Sequence, residues 1–180
     1  MEIIKTEIEG AFIIKHDVFG DSRGFFMESH NQQKFLEMGI NDVFVQDNLS
    51  MSKKGVVRGL HFQLPPYSQT KLVRVITGAV IDVIVDLRKG SKTYGKHVKV
   101  ELSEENKLSL YVPPSFAHGF TCLKDDTIFS YKCSNYYNKE SERTIQWNDS
   151  TLNIDWETSN PIFSDKDKVG LSFENFSSPF

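Results

Sequence analysis

The residues best equipped for chemistry stand together in one stretch, Gly55-Val56-Val57-Arg58-Gly59-Leu60-His61-Phe62-Gln63, and Lys71 follows eight residues later. Imidazole titrates near neutrality, so His61 can take up or return a proton at working pH. Arg58 offers a planar fork of donors suited to phosphate or carboxylate oxygens, and Lys71 offers a compact charge. On a strand, His61 and Gln63 point to one face and Leu60 and Phe62 to the other. Polar groups on the inward face of a small β-barrel would form a site, and on the outward face they would be ordinary surface. Buried without partners they would cost roughly 1–3 kcal/mol each, so they face either water or a ligand.

A second histidine, His118, sits in Tyr111-Val112-Pro113-Pro114-Ser115-Phe116-Ala117-His118-Gly119-Phe120. Prolines at a strand start, then a histidine between apolar residues, again suggest an inward polar group. Two imidazoles fall short of the three protein ligands usual for a catalytic metal. No metal and no other cofactor is expected.

The elements that must position these groups are short strands. Ile3 to Ile14 reads as strand, turn, strand, split at Glu9-Gly10. Asp21-Ser22-Arg23-Gly24 is a tight turn into Phe25-Phe26-Met27-Glu28. Asn31 to Met38 is the best helix candidate in the first half, stopped by Gly39. Phe44 to Asn48 is extended, Met51 to Gly55 a polar loop, and Leu64-Pro65-Pro66-Tyr67 a loop by its prolines. Lys71 to Ile76 and Ala79 to Leu87 read as a hairpin joined at Thr77-Gly78. In the second of these, Asp82 and Asp86 alternate with Ile81, Val83, Val85 and Leu87, predicting one apolar and one carboxylate-bearing face. Strands over Lys96–Leu102, Leu108–Val112, Phe120–Leu123, Ile128–Cys133 and Arg143–Trp147 complete the series. Strands at intervals of about 8–12 residues with turns between them predict an all-β sandwich or barrel. No repeat or linker interrupts the chain, so residues 1–180 read as a single domain.

Composition narrows the classes of function. A chain of 180 residues can bury a full core, and its 39% apolar and 25% charged residues are those of a globular protein. Fourteen Phe and six Tyr lean towards β structure. The net charge of −3, with both signs interspersed, argues against a nucleic-acid surface, which would carry a basic stripe. Cys122 and Cys133 are too few for a disulfide scaffold. No apolar run approaches the roughly 20 residues needed to span a bilayer. The start, Met1-Glu2-Ile3-Ile4-Lys5-Thr6-Glu7, has no apolar signal core, and a reduced cytoplasm is expected.

Pro113 to His118 is similar to the second cupin motif, P-x-G-x-x-H, with Ser115 in place of the usual Gly. The first cupin motif would need H-x-H where this chain has His61-Phe62-Gln63. Further ordered motifs are Phe19-x-Asp21-x-Arg23-Gly24-Phe25-Phe26-x-Glu28, Phe44-Val45-Gln46-Asp47-Asn48, Gln69-x-Lys71-Leu72-Val73, Tyr131-Lys132-Cys133, Tyr136-Tyr137, Ile145-x-Trp147-Asn148-Asp149 and Ser164-x-Lys166-Asp167. Together they make the chain resemble the dTDP-4-dehydrorhamnose 3,5-epimerases, metal-free enzymes with a cupin-type jelly roll and short flanking helices. The resemblance implies a cytoplasmic isomerase acting on a nucleotide-diphosphate sugar. It implies His61 as proton acceptor, Tyr131 as donor, Lys71 at the ketone oxygen and Asp167 against His61. His118 would line the sugar pocket, while Arg23, Glu28, Gln46, Asn48 and Arg58 would hold the nucleotide diphosphate, some of them from a second subunit. Glu142 and Lys166 match weaker contact positions. A homodimer with exchanged N-terminal strands is implied, with no nucleic acid and no membrane as partner. Ser115 and the glycine-poor Glu140-Ser141-Glu142-Arg143 depart from the family pattern and leave open which nucleotide 4-keto sugar is used and whether one carbon or two inverts.

Overall fold

Alternating apolar positions set up most of this chain, because side chains leave a strand on opposite faces with period two. In the computed structural model, which describes residues 1–180, thirteen strands and one short helix form. The strands are β1 (Glu2–Lys5), β2 (Phe12–Lys15), β3 (Val18–Asp21), β4 (Gly24–Met27), β5 (Gln46–Ser52), β6 (Val57–Gln63), β7 (Lys71–Thr77), β8 (Ala79–Asp86), β9 (His97–Ser103), β10 (Ser109–Val112), β11 (Phe116–Cys122), β12 (Thr127–Cys133) and β13 (Glu142–Thr144). A six-stranded sheet runs β1-β2-β10-β7-β12-β5, a five-stranded sheet runs β13-β6-β11-β8-β9, and β3 and β4 pair alone as an arm. Neighbours distant in sequence, such as β6 beside β11 and β7 between β10 and β12, make this the expected all-β jelly roll.

The two sheets enclose one interior. Val73 and Val75 from the six-stranded sheet meet Val80, Ile84, Phe116 and Phe120 from the five-stranded one, with Phe129 among them. Each such side chain taken from water contributes about 1.5–3 kcal/mol. The outer face of the five-stranded sheet is covered by the C-terminal segment, whose Leu152, Trp156, Phe173 and Phe176 pack on Val57, Leu60, Val83 and Val85. The helix α1 (Gln32–Glu37) covers the six-stranded sheet, with Phe35 against Ile14 and Leu72. Asn31 caps it by accepting the Lys34 N–H, and Gly39, at φ +84°, follows its end, as the sequence predicts.

The structure corrects four expectations. Thr77-Gly78 is no hairpin turn: β7 and β8 belong to different sheets, and the short link crosses between them. Met51 and Ser52 continue β5, paired with Ile128 and Thr127, where a loop was predicted. The strand carrying His118 begins at Phe116, directly after the prolines, and the predicted Arg143–Trp147 strand shrinks to Glu142–Thr144. Beyond these four, the faces of β8 divide as the alternation predicts, and both are buried. Its Ile81, Val83 and Val85 face the C-terminal segment, whereas Asp82 and Asp86 share the interior side with Val80 and Ile84. Burial pushes the Asp86 carboxyl up, but hydrogen bonds from Arg88 and Thr93 outweigh it and hold the group at about 2.

Candidate active site

One end of the barrel interior is apolar core, and the other is a cavity of about 360 Å³ into which both sheets send polar side chains. From the five-stranded sheet come Arg58, His61 and Gln63 on β6 and His118 on β11. From the six-stranded sheet come Lys71 on β7, Tyr131 and Cys133 on β12, and Gln46 and Asn48 on β5. His61 therefore stands on one wall, with Tyr131 and Lys71 on the other.

Strict alternation would put Arg58 on the face of Leu60 and Phe62, away from His61. A bulge changes the parity. On β11 only Gly119 separates His118 from Phe120, whereas on β6 Gly59 and Leu60 separate their partners His61 and Arg58. The extra residue turns Arg58 back towards the cavity. It requires glycine: Gly59 has φ +134°, and a Cβ there would lie 2.5 Å from the Cα of Gly119. Of the two glycines in the motif around His61, Gly59 alone belongs to this bulge, which alternation by itself does not foresee.

His61 Nε2 lies 2.7 Å from Asp167 Oδ1, and Asp167 is 3% exposed. The carboxylate also takes the Ser164 hydroxyl and the Gly59 N–H at 3.3 Å. Burial pushes Asp167 up, yet the bonds from His61 and Ser164 hold it at about 2. For His61 burial wins: it lowers the imidazole below its ordinary value, while Asp167 pulls it partly back and Lys71 and Lys166 push it further down. The balance favours the neutral ring, with Nε2 2.7 Å from a carboxylate oxygen and Nδ1 without a protein partner.

Burial also lowers Lys71, opposed by Cys133, Asp82 and Glu142, which makes its ammonium a readier donor to a developing oxyanion. Tyr131 moves the other way, raised by burial and by Cys133, so its phenol stays protonated and can give a proton. The His61 imidazole, the Tyr131 phenol and the Lys71 ammonium thus occupy two opposed walls of one cavity.

Around them runs a chain of hydrogen bonds that the sequence did not reveal. Asn48 Nδ2 reaches the Cys133 sulfur at 3.6 Å, Gln46 Nε2 donates to Asn48 at 3.0 Å, and the Tyr137 N–H donates to Gln46 at 2.9 Å. The Tyr137 hydroxyl donates to Glu142 at 3.0 Å, and Glu142 also pairs with Lys166. Arg58 donates to Ser52 at 3.1 Å and keeps its remaining donors for the cavity. His118 lies against Asp82, also unforeseen, with Nε2 at 2.9 and 3.0 Å from the two carboxylate oxygens. Gln63 ties down loops, donating to the Tyr67 and Tyr136 carbonyls.

Two expected site residues lie elsewhere. Arg23 is at the tip of the β3–β4 arm, paired with Asp21 at 2.6 Å and with its side chain 87% exposed. Glu28 closes the arm at its root, held by Lys34 at 2.8 Å and Asn31 at 3.1 Å. Neither lines the cavity of its own chain.

The profile of the dTDP-4-dehydrorhamnose 3,5-epimerase family matches residues 5–175. A Shigella flexneri dTDP-4-dehydrorhamnose 3,5-epimerase is 55% identical over 174 residues, covering 96% of each chain. The Escherichia coli K12 enzyme of that name is 52% identical over 93% of this chain and 92% of its own. The crystal structure of a Legionella pneumophila dTDP-6-deoxy-D-glucose-3,5-epimerase with dTDP-4-keto-L-rhamnose superposes with a TM-score of 0.94 at 46% identity, covering 98% and 94% of the two chains. With both the fold and the near-complete sequence match in agreement, this chain belongs to the dTDP-4-dehydrorhamnose 3,5-epimerase family of isomerases.

Proposed function

We propose that this chain inverts both carbons flanking the ketone of dTDP-4-dehydro-6-deoxy-D-glucose, giving dTDP-4-dehydro-L-rhamnose. The observation that carries the reading is the opposition of His61, backed by Asp167, to Tyr131 and Lys71 across one cavity. A C–H beside a ketone is acidic because its electrons can move onto the carbonyl oxygen. His61 Nδ1 takes that proton, and the enolate charge meets the Lys71 ammonium, an interaction stronger in the transition state than in the ground state. Tyr131 returns a proton from the other ring face, inverting the carbon; water then takes the proton from His61 and re-protonates Tyr131, and the same cycle serves the carbon on the other side of the ketone. Protons removed and returned balance, so no electron carrier takes part.

Arg58, Asn48 and Gln46 suit the nucleotide diphosphate, the guanidinium by its paired donors. Glu142, Lys166 and His118 contact the sugar end. Arg23 and Glu28 act from a second copy of the chain in a homodimer with exchanged N-terminal arms. The arm's exposed Phe19, Phe25 and Phe26 support that assembly, since a cluster of large apolar groups on a small protein marks an interaction surface. No helix is long and apolar enough to cross a membrane. The reading is of a cytoplasmic enzyme with no nucleic-acid or membrane partner.

Proton NMR of the substrate with enzyme in deuterated water tests this. Deuterium should enter at both C3 and C5, and His61→Asn should lower both exchanges by at least about 100-fold. Exchange at one carbon alone would make the enzyme a mono-epimerase. No exchange would overturn the reading.

A further inference from the structure

Asp82 occupies an interior position on β8 between Val80 and Ile84, where alternation and the apolar core call for a hydrophobic side chain. It is 0% exposed. A carboxylate so placed is costly unless paired, and its hydrogen bonds go to one group, Nε2 of His118, through both oxygens. The register explains the meeting: Asp82 stands opposite Phe120, and His118 is the next residue of β11 on the same face. Phe129 stacks on the imidazole, centroids 6.1 Å apart and planes 24° from parallel, so the ring's tilt is fixed as well. His118 is in turn directly opposite His61 across the β6–β11 pair. Two imidazoles thus stand side by side on one wall, each with Nε2 against a buried carboxylate and Nδ1 free of protein partners.

We propose that Asp82 is a positioning residue for the epimerisation: it holds the proton of His118 on Nε2, so that Nδ1 accepts a hydrogen bond from a sugar hydroxyl and fixes the ring's rotation beside His61. This rests on the epimerase reading above and assigns Asp82 a part in it. A carboxylate behind a histidine sets which nitrogen carries the proton, and losing such a partner reduces activity by about 10–100-fold in metal sites of similar construction. Asparagine at this place keeps the shape but can donate as well as accept, so the tautomer is no longer set.

The test is nitrogen NMR of protein labelled with 15N-histidine, alongside kcat/KM and deuterium exchange for Asp82→Asn, His118→Asn and the double variant. His118 should be Nε2-protonated in the native protein and mixed in Asp82→Asn. Asp82→Asn should lower kcat/KM by about 10–100-fold and add nothing once His118 is Asn. An Nδ1-protonated His118 in the native protein overturns the proposal, as do single-variant losses that multiply in the double variant. The native spectrum decides even if Asp82→Asn fails to fold. Absence of exchange in the native enzyme would instead remove the epimerase reading, leaving the tautomer result to stand by itself.

Discussion

Whether His61 can act as a base turns on two opposed effects, and burial is the larger. Because burial lowers its pKa below the ordinary value of about 6.5, the ring stays neutral through neutrality. The rate kcat/KM should hold level down to that lowered pKa and fall only as pH drops through it. Asp167→Asn removes the group that raises His61, so the acid limb should move to still lower pH while the rate at neutrality falls by about 10–100-fold for want of basicity. A limb that moved to higher pH would contradict the assignment. Stability follows the same groups. The native ring resists protonation, so stability is lost as pH falls below about 6.5, the value in the unfolded chain. Asp167, held at about 2, contributes stability that is complete above about 4 and lost between there and 2. Urea titrations across pH 7 to 2 should show both declines. On the other wall, Lys71→Met should cost about 100- to 1,000-fold in kcat with little change in KM, since in the proposed reaction its charge meets an oxyanion absent from the ground state. The types of these residues and the nearness of His61 to Lys71 were legible in the chain. Their carboxylates were less so: Asp167 was placed only by family resemblance, and Asp82 read merely as one of two acids on a strand face, because alternation cannot say which side of a sheet is the interior.

Strand alternation explains most of the fold, and two of the departures from local sequence show what it misses: a turn that changes sheet and a bulge beside the site. Thr77-Gly78 has the composition of a hairpin turn, yet β7 and β8 part into different sheets. Local sequence reports the tightness of a turn and not which sheet the next strand joins. At Gly59 the bulge inverts the parity of β6 and brings Arg58 and His61 to one face. Gly59→Ala must place a Cβ 2.5 Å from the Gly119 Cα at a φ of +134°, a conformation that side chains avoid. Backbone strain and overpacking should each cost about 1–3 kcal/mol. The expected loss is a few kcal/mol in chemical denaturation, together with a fall in kcat/KM in whatever fraction remains folded. An alanine variant of native stability would mean that the bulge does not depend on glycine. Gly119→Ala meets the Arg58 carbonyl at 2.7 Å without the unfavourable φ, so overpacking alone, about 1–3 kcal/mol, is expected there.

At the scale of the molecule, each site draws on distant parts of the chain. The C-terminal segment that seals the outer face of the five-stranded sheet also delivers Lys166 and Asp167, and Phe176 packs behind β6 with its ring 5.2 Å from that of Phe62. The N-terminal arm does the opposite: it carries Arg23 away from its own cavity, with Phe19, Phe25 and Phe26 exposed along it. The six-stranded sheet ends at β5, a strand with exposed Leu49 and Met51 that borders the cavity through Gln46 and Asn48. If the arm crosses to a second copy, every active site combines His61 of one subunit with Arg23 of the other. Subunit mixing can decide this. Arg23→Ala and His61→Asn homodimers should each be weak, since every site in them lacks one of the two groups. In a mixed dimer, the subunit carrying Arg23→Ala keeps its own His61 and receives an intact Arg23, so one site in two is complete. Activity should therefore rise on unfolding and refolding the two variants together, approaching half the native rate per mixed dimer. If Arg23 instead folds back onto its own cavity, the mixed dimer contains one site without the arginine and one without the histidine, and mixing restores nothing.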